Sequence, residues 1–258
     1  MIYSVKRFIK PSIFVAFVLY GVKVNAQVSL IQNAIDKIEG YKNFSYRCIN
    51  RQKVATPDTQ IMRHKDIFLK KPDDKTFGYL YSMEMLGEDG KSNSTEVYNG
   101  QNTMNLHAWD STYVIRETQA PLTTFSLLGQ LSSIKINKQL KIVKAADTTI
   151  NSIDSYHLII NTFDTVINKE HLYGNYNLFI DKSSGLPICI IYRSRGTGFG
   201  DGITNFYDEG DYSDFKFDED DINIASFGIP DSFRKAKEWV QHLLAPGTVA
   251  PSCTLFTA

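Results

Sequence analysis

The residues with the most chemical content lie between Phe77 and Met85. There Phe77, Tyr79, Tyr81, Met83 and Met85 alternate with Gly78, Leu80, Ser82 and Glu84. A period of two puts the five on one face of a strand. Aromatic rings supply apolar area with polar tips, and methionine adapts to irregular shapes. A stripe of this kind is either sheet core or the wall of a pocket for a lipophilic ligand. Buried tyrosine hydroxyls need partners, and a lidded cavity offers them more readily than a packed core. Met104 and Leu106 repeat the alternation and complete the candidate ligand-binding set.

Other candidates for chemistry are weaker on their own terms. The run Gly196-Thr-Gly-Phe-Gly-Asp-Gly202 has neither G-x-G-x-x-G spacing nor a Gly-Lys-Ser/Thr, and no helical pattern follows it, so it reads as a hairpin loop. The acidic cluster from Asp208 to Asp221 lacks the alternating ligands and central glycine of a calcium loop and reads as a solvated edge. The histidines His64, His107, His157, His171 and His242 form no H-x-x-x-H pair and have no cysteine at zinc spacing. Ser183-Ser184-Gly185 lies in a turn, and there is no G-x-S-x-G elbow. No catalytic constellation emerges, and no cofactor or metal is expected.

Composition bounds the rest. The 258 residues carry 28 Lys+Arg against 28 Asp+Glu, so no net field favours nucleic acid or an anionic surface. Lys6, Arg7 and Lys10 precede the apolar run Ile13 to Tyr20, and Val24-Asn25-Ala26 ends in a small residue. This is the pattern of a secretory signal peptide over residues 1–26, cut before Gln27. No cysteine follows the cut to take a lipid. Cys48, Cys189 and Cys253 are too few and odd in number for a disulfide framework, though one bridge is compatible with an oxidising compartment.

The elements that would position these residues follow from periodicity. Leu30, Ile31, Ala34, Ile35 and Ile38 make a helical stripe between Ser29, a candidate N-cap, and Gly40. Strands are expected from Asn43, over Gln60 to Lys70, Thr76 to Leu86, a hairpin at Asn99-Gly100, and Thr112 to Arg116. Leu122, Phe125, Leu128 and Leu131 predict a second short helix. Strands resume over Lys141 to Ala145 and Ser155 to Thr162. They continue through a hairpin of Tyr176–Ile180 and Ile188–Tyr192 around Asp181-Lys-Ser-Ser-Gly185, then over Thr204 to Phe217. Ile222 to Ile229 is expected to be extended, and Asp231 to Leu244 a short helix or linker. Many similar strands with helices at two or three places predict an α+β fold: a curved antiparallel sheet with covering helices.

This order of elements resembles the periplasmic lipoprotein carrier (LolA/LolB-like) family over residues 27–233. The resemblance is carried by the first helix, by Val97-Tyr98-Asn99-Gly100 and the run ending Asp110-Ser111-Thr112-Tyr113. It is carried also by Phe179-Ile180-Asp181-Lys182-Ser183-Ser184-Gly185-Leu186-Pro187 and by Ile229-Pro230-Asp231-Ser232-Phe233. It implies a half-open barrel whose concave side, lidded by helices, holds an acyl chain or an acylated protein in the periplasm, with peripheral envelope association. Beyond a linker or short helix at 234–244, Ala245-Pro246-Gly247-Thr248-Val249-Ala250-Pro251-Ser252-Cys253-Thr254-Leu255 is similar to the opening of a thioredoxin-like redoxin domain. Ser252 and Cys253 depart from the acidic residue and Phe usual there, and Cys253 does not match a catalytic position. Residues 245–258 would be the stub of such a domain, in a layout resembling two-domain secreted proteins of Bacteroidetes. The expectation is therefore a secreted lipophilic-ligand binder. The alternative is the accessory domain of a thiol-disulfide or peroxide oxidoreductase, with a structural envelope protein as a third reading.

Overall fold

The computed structural model describes residues 27–54, 58–116, 126–136, 140–197 and 202–236. Helix α1 (27–39) leads into an antiparallel meander: β1 (Asn43–Val54), β2 (Gln60–Lys70), β3 (Tyr79–Leu86), β4 (Ser92–Tyr98), β5 (Thr103–His107) and β6 (Thr112–Arg116). Helix α2 (Leu127–Ile136) separates it from a second series. That series is β7 (Lys141–Lys144), β8 (Thr148–Ile150), β9 (Ile153–Ile167), β10 (Glu170–Asp181), β11 (Pro187–Gly196) and β12 (Thr204–Phe217). A 3-10 turn (Ile224–Phe227) and a two-residue strand, β13 (Arg234–Lys235), close the described chain. The two series meet at β1 and β12, giving one open, curved, 13-stranded sheet in the order β13-β6-β5-β4-β3-β2-β1-β12-β11-β10-β9-β7, with β8 also paired to β9. Every pairing is antiparallel except β13 beside β6. The α+β class and the curved antiparallel sheet expected from periodicity are what the chain forms.

The helices define an inner face. From α1, Ile31, Ala34, Ile35 and Ile38 are buried; from α2, Leu127, Leu128, Leu131 and Ile134. They pack on Phe44, Tyr46, Phe68, Tyr79, Tyr81 and Tyr98 at one side and on Leu158, Ile160, Leu178 and Ile190 at the other. Phe68 sits centrally, with its ring 4.5 Å from Phe44 and 4.8 Å from Tyr81. On the outer face a smaller cluster joins Leu69, Leu80, Val97, Met104 and Leu106 to Ile222 and Phe227 of the C-terminal segment.

Several local expectations are corrected. Residue 27 is already helical, so Ser29 lies inside α1 rather than capping it. The second helix is described over Leu127–Ile136, and Leu122 and Phe125 of the expected stripe lie outside the described residues. The segment expected to be extended at Ile222–Ile229 contains the 3-10 turn, because Asn223 and Ser226 form a reciprocal capping box. Asn99-Gly100 opens a four-residue loop in which Asn99 Oδ1 accepts from the amides of Gln101 and Asn102. The tight turns fall elsewhere, at Asn151-Ser152 and Asn168-Lys169, where both residues of each pair take positive φ. By contrast, the Asp181–Gly185 turn forms as read. Asp181 accepts from the amides of Ser183 and Ser184, and Gly185 supplies φ 70.

Replacing Phe68 by alanine removes the ring at the centre of the inner-face core. Such a truncation is expected to lower stability by about 3–5 kcal/mol, measured by urea denaturation. A loss below about 1 kcal/mol, the size of an average substitution, would mean that the cluster is not the principal core.

Candidate functional site

The seven residues singled out from the sequence fall on both faces. Tyr79 and Tyr81 are buried in the inner core, with Phe77 and Met83 packed against it. Met85 is half-buried and pairs with His64, which places it on the same face. Met104 and Leu106 lie in the outer cluster. Five of the seven thus share a wall, beneath the helices, and two do not. Burial pushes the Tyr79 hydroxyl up to about 12, with Glu39 adding to it, and pushes Tyr81 well up. The Tyr81 hydroxyl has no hydrogen-bond partner among the described residues.

Beneath the start of α2 lies a buried polar network. Asp66, fully buried, accepts from the Tyr46 hydroxyl at 2.6 Å and lies 2.7 Å from His64 Nδ1. The same Tyr46 oxygen accepts from the Leu127 amide at 2.9 Å. The first turn of a helix leaves its amides without partners inside the helix, so this phenol caps α2 from the sheet. The strand register makes the arrangement possible, because Tyr46 pairs with Asp66 and Cys48 with His64. Burial and the nearby Asp66 charge push the Tyr46 hydroxyl well up, so it stays a neutral donor.

Further along the inner face, beyond the part that a helix covers among the described residues, lies an open groove of about 370 Å³. It is lined by Phe163, Thr165, Ile167, Leu172, Ser194, Gly196, Thr204 and Phe206. A bulge explains its composition. Gly174 pairs with Phe163 while Asn175 pairs with Asn161, so Thr162 is an extra residue in β9. Beyond it the inner face passes from the even-numbered Leu158 and Ile160 to Phe163, Thr165 and Ile167. Gly174 permits this: a Cβ there would stand 2.5 Å from Phe163 Cε1 and 2.4 Å from Thr162 Oγ1. A row of rings links core to groove, with Tyr176 and Tyr192 at 4.5 Å and Tyr192 and Phe206 at 5.9 Å. Phe163 remains 40% exposed and Ile167 52%. None of the groove residues belongs to the sequence-derived set. The only signal for them is the glycine pair Gly174 and Gly196 within strand patterns, which marks close approach or a bulge.

Between core and groove sit the polar groups Asn50 and Asp208, both buried, with Asn50 Nδ2 donating to Asp208 Oδ1 at 2.8 Å. Burial raises the Asp208 carboxyl above its ordinary range, and the Asn50 hydrogen bond only partly offsets this. Its acidic neighbours are engaged differently. Arg51 bridges Glu209 and Asp211 at 2.8 and 2.5 Å, and Arg47 reaches Asp214 at 3.7 Å. Among the described residues no cluster of three His, Cys, Asp or Glu is placed to hold a metal ion. Cys48 and Cys189 are free and buried in different clusters, and burial pushes both thiols up, away from nucleophilic use.

A larger pocket of about 640 Å³ opens on the outer face between Leu69, Leu80 and Ile222 and a mixed rim of Lys42, Lys71, Asp73 and Asp220. The inner groove, though smaller, is the one that continues the helix-covered apolar face. Residues 1–26, expected to be a signal peptide, residues 245–258 with Cys253, expected to open a redoxin-like domain, and the part of the expected linker beyond residue 236 lie outside the described residues.

No protein-family model and no curated protein sequence matches the chain. Solved structures do. A LolA-superfamily protein from Nitrosomonas europaea is 13% identical, with 78% of this chain and 97% of that chain covered at a TM-score of 0.40. An uncharacterized conserved protein from Thermus thermophilus is 11% identical, with 80% and 98% covered at 0.41.

Two measurements test this site. Tyr46→Phe leaves the Leu127 amide without its acceptor and Asp66 with one donor fewer. It is expected to cost about 2 kcal/mol and to speed amide exchange in the first turn of α2; unchanged exchange there would refute the cap. For Asp208 the raised carboxyl is the group to follow. Its contribution to stability is complete below the unfolded carboxylate range and is lost as pH rises through the raised value. Asp208→Asn keeps the acceptor for Asn50. It should be more stable than the parent at neutral pH, with the gap closing towards about pH 4. Equal gaps at both pH values in urea denaturation would count against a carboxyl held up by burial.

Proposed function

We propose that the protein is a non-enzymatic binder of lipophilic ligands, acting in the cell envelope after secretion, with the chain of an acyl ligand held on the inner face of the sheet. The observation that carries this reading is the continuity of that face. One apolar lining runs from beneath α1 and α2, past Tyr176 and Tyr192, into a groove where Phe163 and Ile167 stay open to solvent. Large apolar side chains left exposed in a concave surface mark a binding site rather than a packing defect. Each methylene buried there contributes about 0.8 kcal/mol. Phe77, Tyr79, Tyr81, Met83 and Met85 form the deeper wall, available to a longer chain when α2 lifts from its Tyr46 cap. An acylated protein is a ligand of the same chemistry and would present its acyl chain to the same groove.

Gly196 provides the test. Its side-chain position points into the groove, and the nearest atom to an added Cβ is Phe163 Cζ at 3.9 Å. Gly196→Leu therefore fills the groove without a clash. It is expected to weaken binding of a fluorescent fatty acid at least tenfold, a loss of about 1.4 kcal/mol, with the circular dichroism spectrum unchanged. Undiminished binding in a folded variant would place the ligand elsewhere; no binding by the parent would end the reading.

A further inference from the structure

The outer face carries a cavity of its own. A hollow of about 460 Å³ spans β1, β12, β11 and β10, and its outer-face lining is Lys53, Asn205, Tyr207, Arg193 and Tyr173. The strand register brings three of these into one row, because Tyr207 pairs with Lys53 of β1 on one side and with Arg193 of β11 on the other. On β12 they alternate with Thr204 and Phe206, whose side chains belong to the inner face. Ser194, Thr204 and Phe206 line both the hollow and the groove, so the two adjoin through the same strands.

Charge is distributed unevenly along this surface. Arg51 is answered by Glu209 and Asp211, and Arg195 by Glu170. Lys53 and Arg193 make no ion pair among the described residues, and these are the two basic residues that line the hollow. No carboxylate lines it. Glu209, next on the same face of β12, accepts from the Tyr207 hydroxyl and from Arg51, so its charge is already met. The Arg193 guanidinium stands 5.4 Å from the centre of the Tyr207 ring, leaning over the middle of the row towards Lys53. The backbones of Lys53 and Arg193 are two strand spacings apart, roughly 10 Å. Both long side chains can therefore close on one group held between them. Tyr173 adds a hydroxyl and Asn205 an amide, neither with a hydrogen-bond partner among the described residues. Two unanswered cations in a concave, donor-lined surface without acids concentrate anions.

We propose that this hollow is an anion site that binds a phosphate group, with Arg193 holding two of its oxygens and Lys53 supplying the second positive charge. A guanidinium matches phosphate oxygens two at a time, and an ammonium acts as a point charge beside it. A phosphomonoester carries enough charge and enough oxygens for both. A carboxylate carries one charge and two oxygens, and would leave one cation unanswered. The phosphate is the head of a phospholipid or a small phosphomonoester; the chemistry of the site is the same for both. The inference does not rest on the acyl-binding reading of the groove.

The test is isothermal titration calorimetry of the full-length chain at low ionic strength, where exposed charges are least screened. Glycerol phosphate should bind, and acetate about tenfold more weakly. Arg193→Gln should weaken glycerol phosphate about tenfold and Lys53→Gln about threefold, with Arg193→Lys between the parent and Arg193→Gln. Arg195→Gln removes the same charge from the same strand but lies outside the hollow, and should leave binding within about twofold of the parent. Lys53 and Arg193 are exposed and Arg195 is half-buried, so all four variants should keep the circular dichroism spectrum of the parent. Dihexanoyl phosphatidic acid separates the two sources. If it binds at least tenfold more tightly than glycerol phosphate and is weakened to the same degree by Arg193→Gln, the phosphate is a lipid headgroup; equal binding assigns a small phosphomonoester. No binding of either by the parent overturns the inference. Equal losses from Arg193→Gln and Arg195→Gln also overturn it, because they mark diffuse surface charge in place of a site. Glycerol phosphate has no acyl chain, so failure to bind fatty acid would leave this result untouched.

Discussion

An open sheet of this width has two faces and two edges to protect, and its described residues include only two α-helices. Both are spent on the inner face. The outer face is closed near β2–β5 by the segment around Ile222 and Phe227, and carries a second small apolar cluster of Phe179, Ile188 and Cys189 on β10 and β11. That allocation divides the molecule into core and site. Where the helices lie, the inner face is a packed aromatic and aliphatic core. Where they stop, the same face continues with no other described helix over it, and the groove lies there. The position of the helices, more than any single lining residue, decides how much of the surface serves each purpose.

The lid is held by a polar contact inside an apolar layer. Asp66 would be costly to bury alone, and Tyr46 and His64 supply its hydrogen bonds. In doing so Tyr46 also fixes the start of α2. The arrangement gives the helix a defined register on the sheet that apolar packing alone would not impose, because packing of Leu128 and Leu131 against rings tolerates sliding in a way that a hydrogen bond does not. It also concentrates the tie in one oxygen atom, at the helix end next to the described strands.

Much of this architecture was legible in the sequence and part was not, for identifiable reasons. The strands β2 and β12 coincide with the runs read as strands, β12 burying mainly one face while β2 buries Phe68 on the inner face and Leu69 on the outer. The Asp181–Gly185 turn is legible because its side-chain and glycine chemistry is local. The hairpins at Asn151-Ser152 and Asn168-Lys169 escape notice because left-handed conformation at a non-glycine pair is imposed by the strands, whereas Asn99-Gly100, the stronger signal, sits in a longer loop. The candidate site divides in the same way. The stripe from Phe77 to Met85 is a true face of one strand, but alternation within a strand does not say which side of the sheet another strand presents, so Met104 and Leu106 fall on the opposite side. The groove residues Phe163, Thr165 and Ile167 were hidden by the Thr162 bulge, which reverses the parity of β9 and depends on pairing with Gly174. The buried Asn50–Asp208 pair joins residues far apart in the chain and has no local signature at all.

The union of β1 with β12 has a consequence for how the molecule comes together. Every other antiparallel neighbour in the sheet is reached by a short connection, so each half of the chain can zip up from its own turns. The central pair joins residues about 160 positions apart, as Asn50 and Asp208 do. Contacts of such sequence separation are slow to form, because the loop must close before any contact rewards it. The Asn50–Asp208 hydrogen bond, the Tyr212 phenol and the pairing that orients them all lie on that join. Each half alone therefore carries one partner of that hydrogen bond, and the buried polar pair belongs only to the assembled protein. The groove, by contrast, is lined from β9 to β12 alone and needs no such closure.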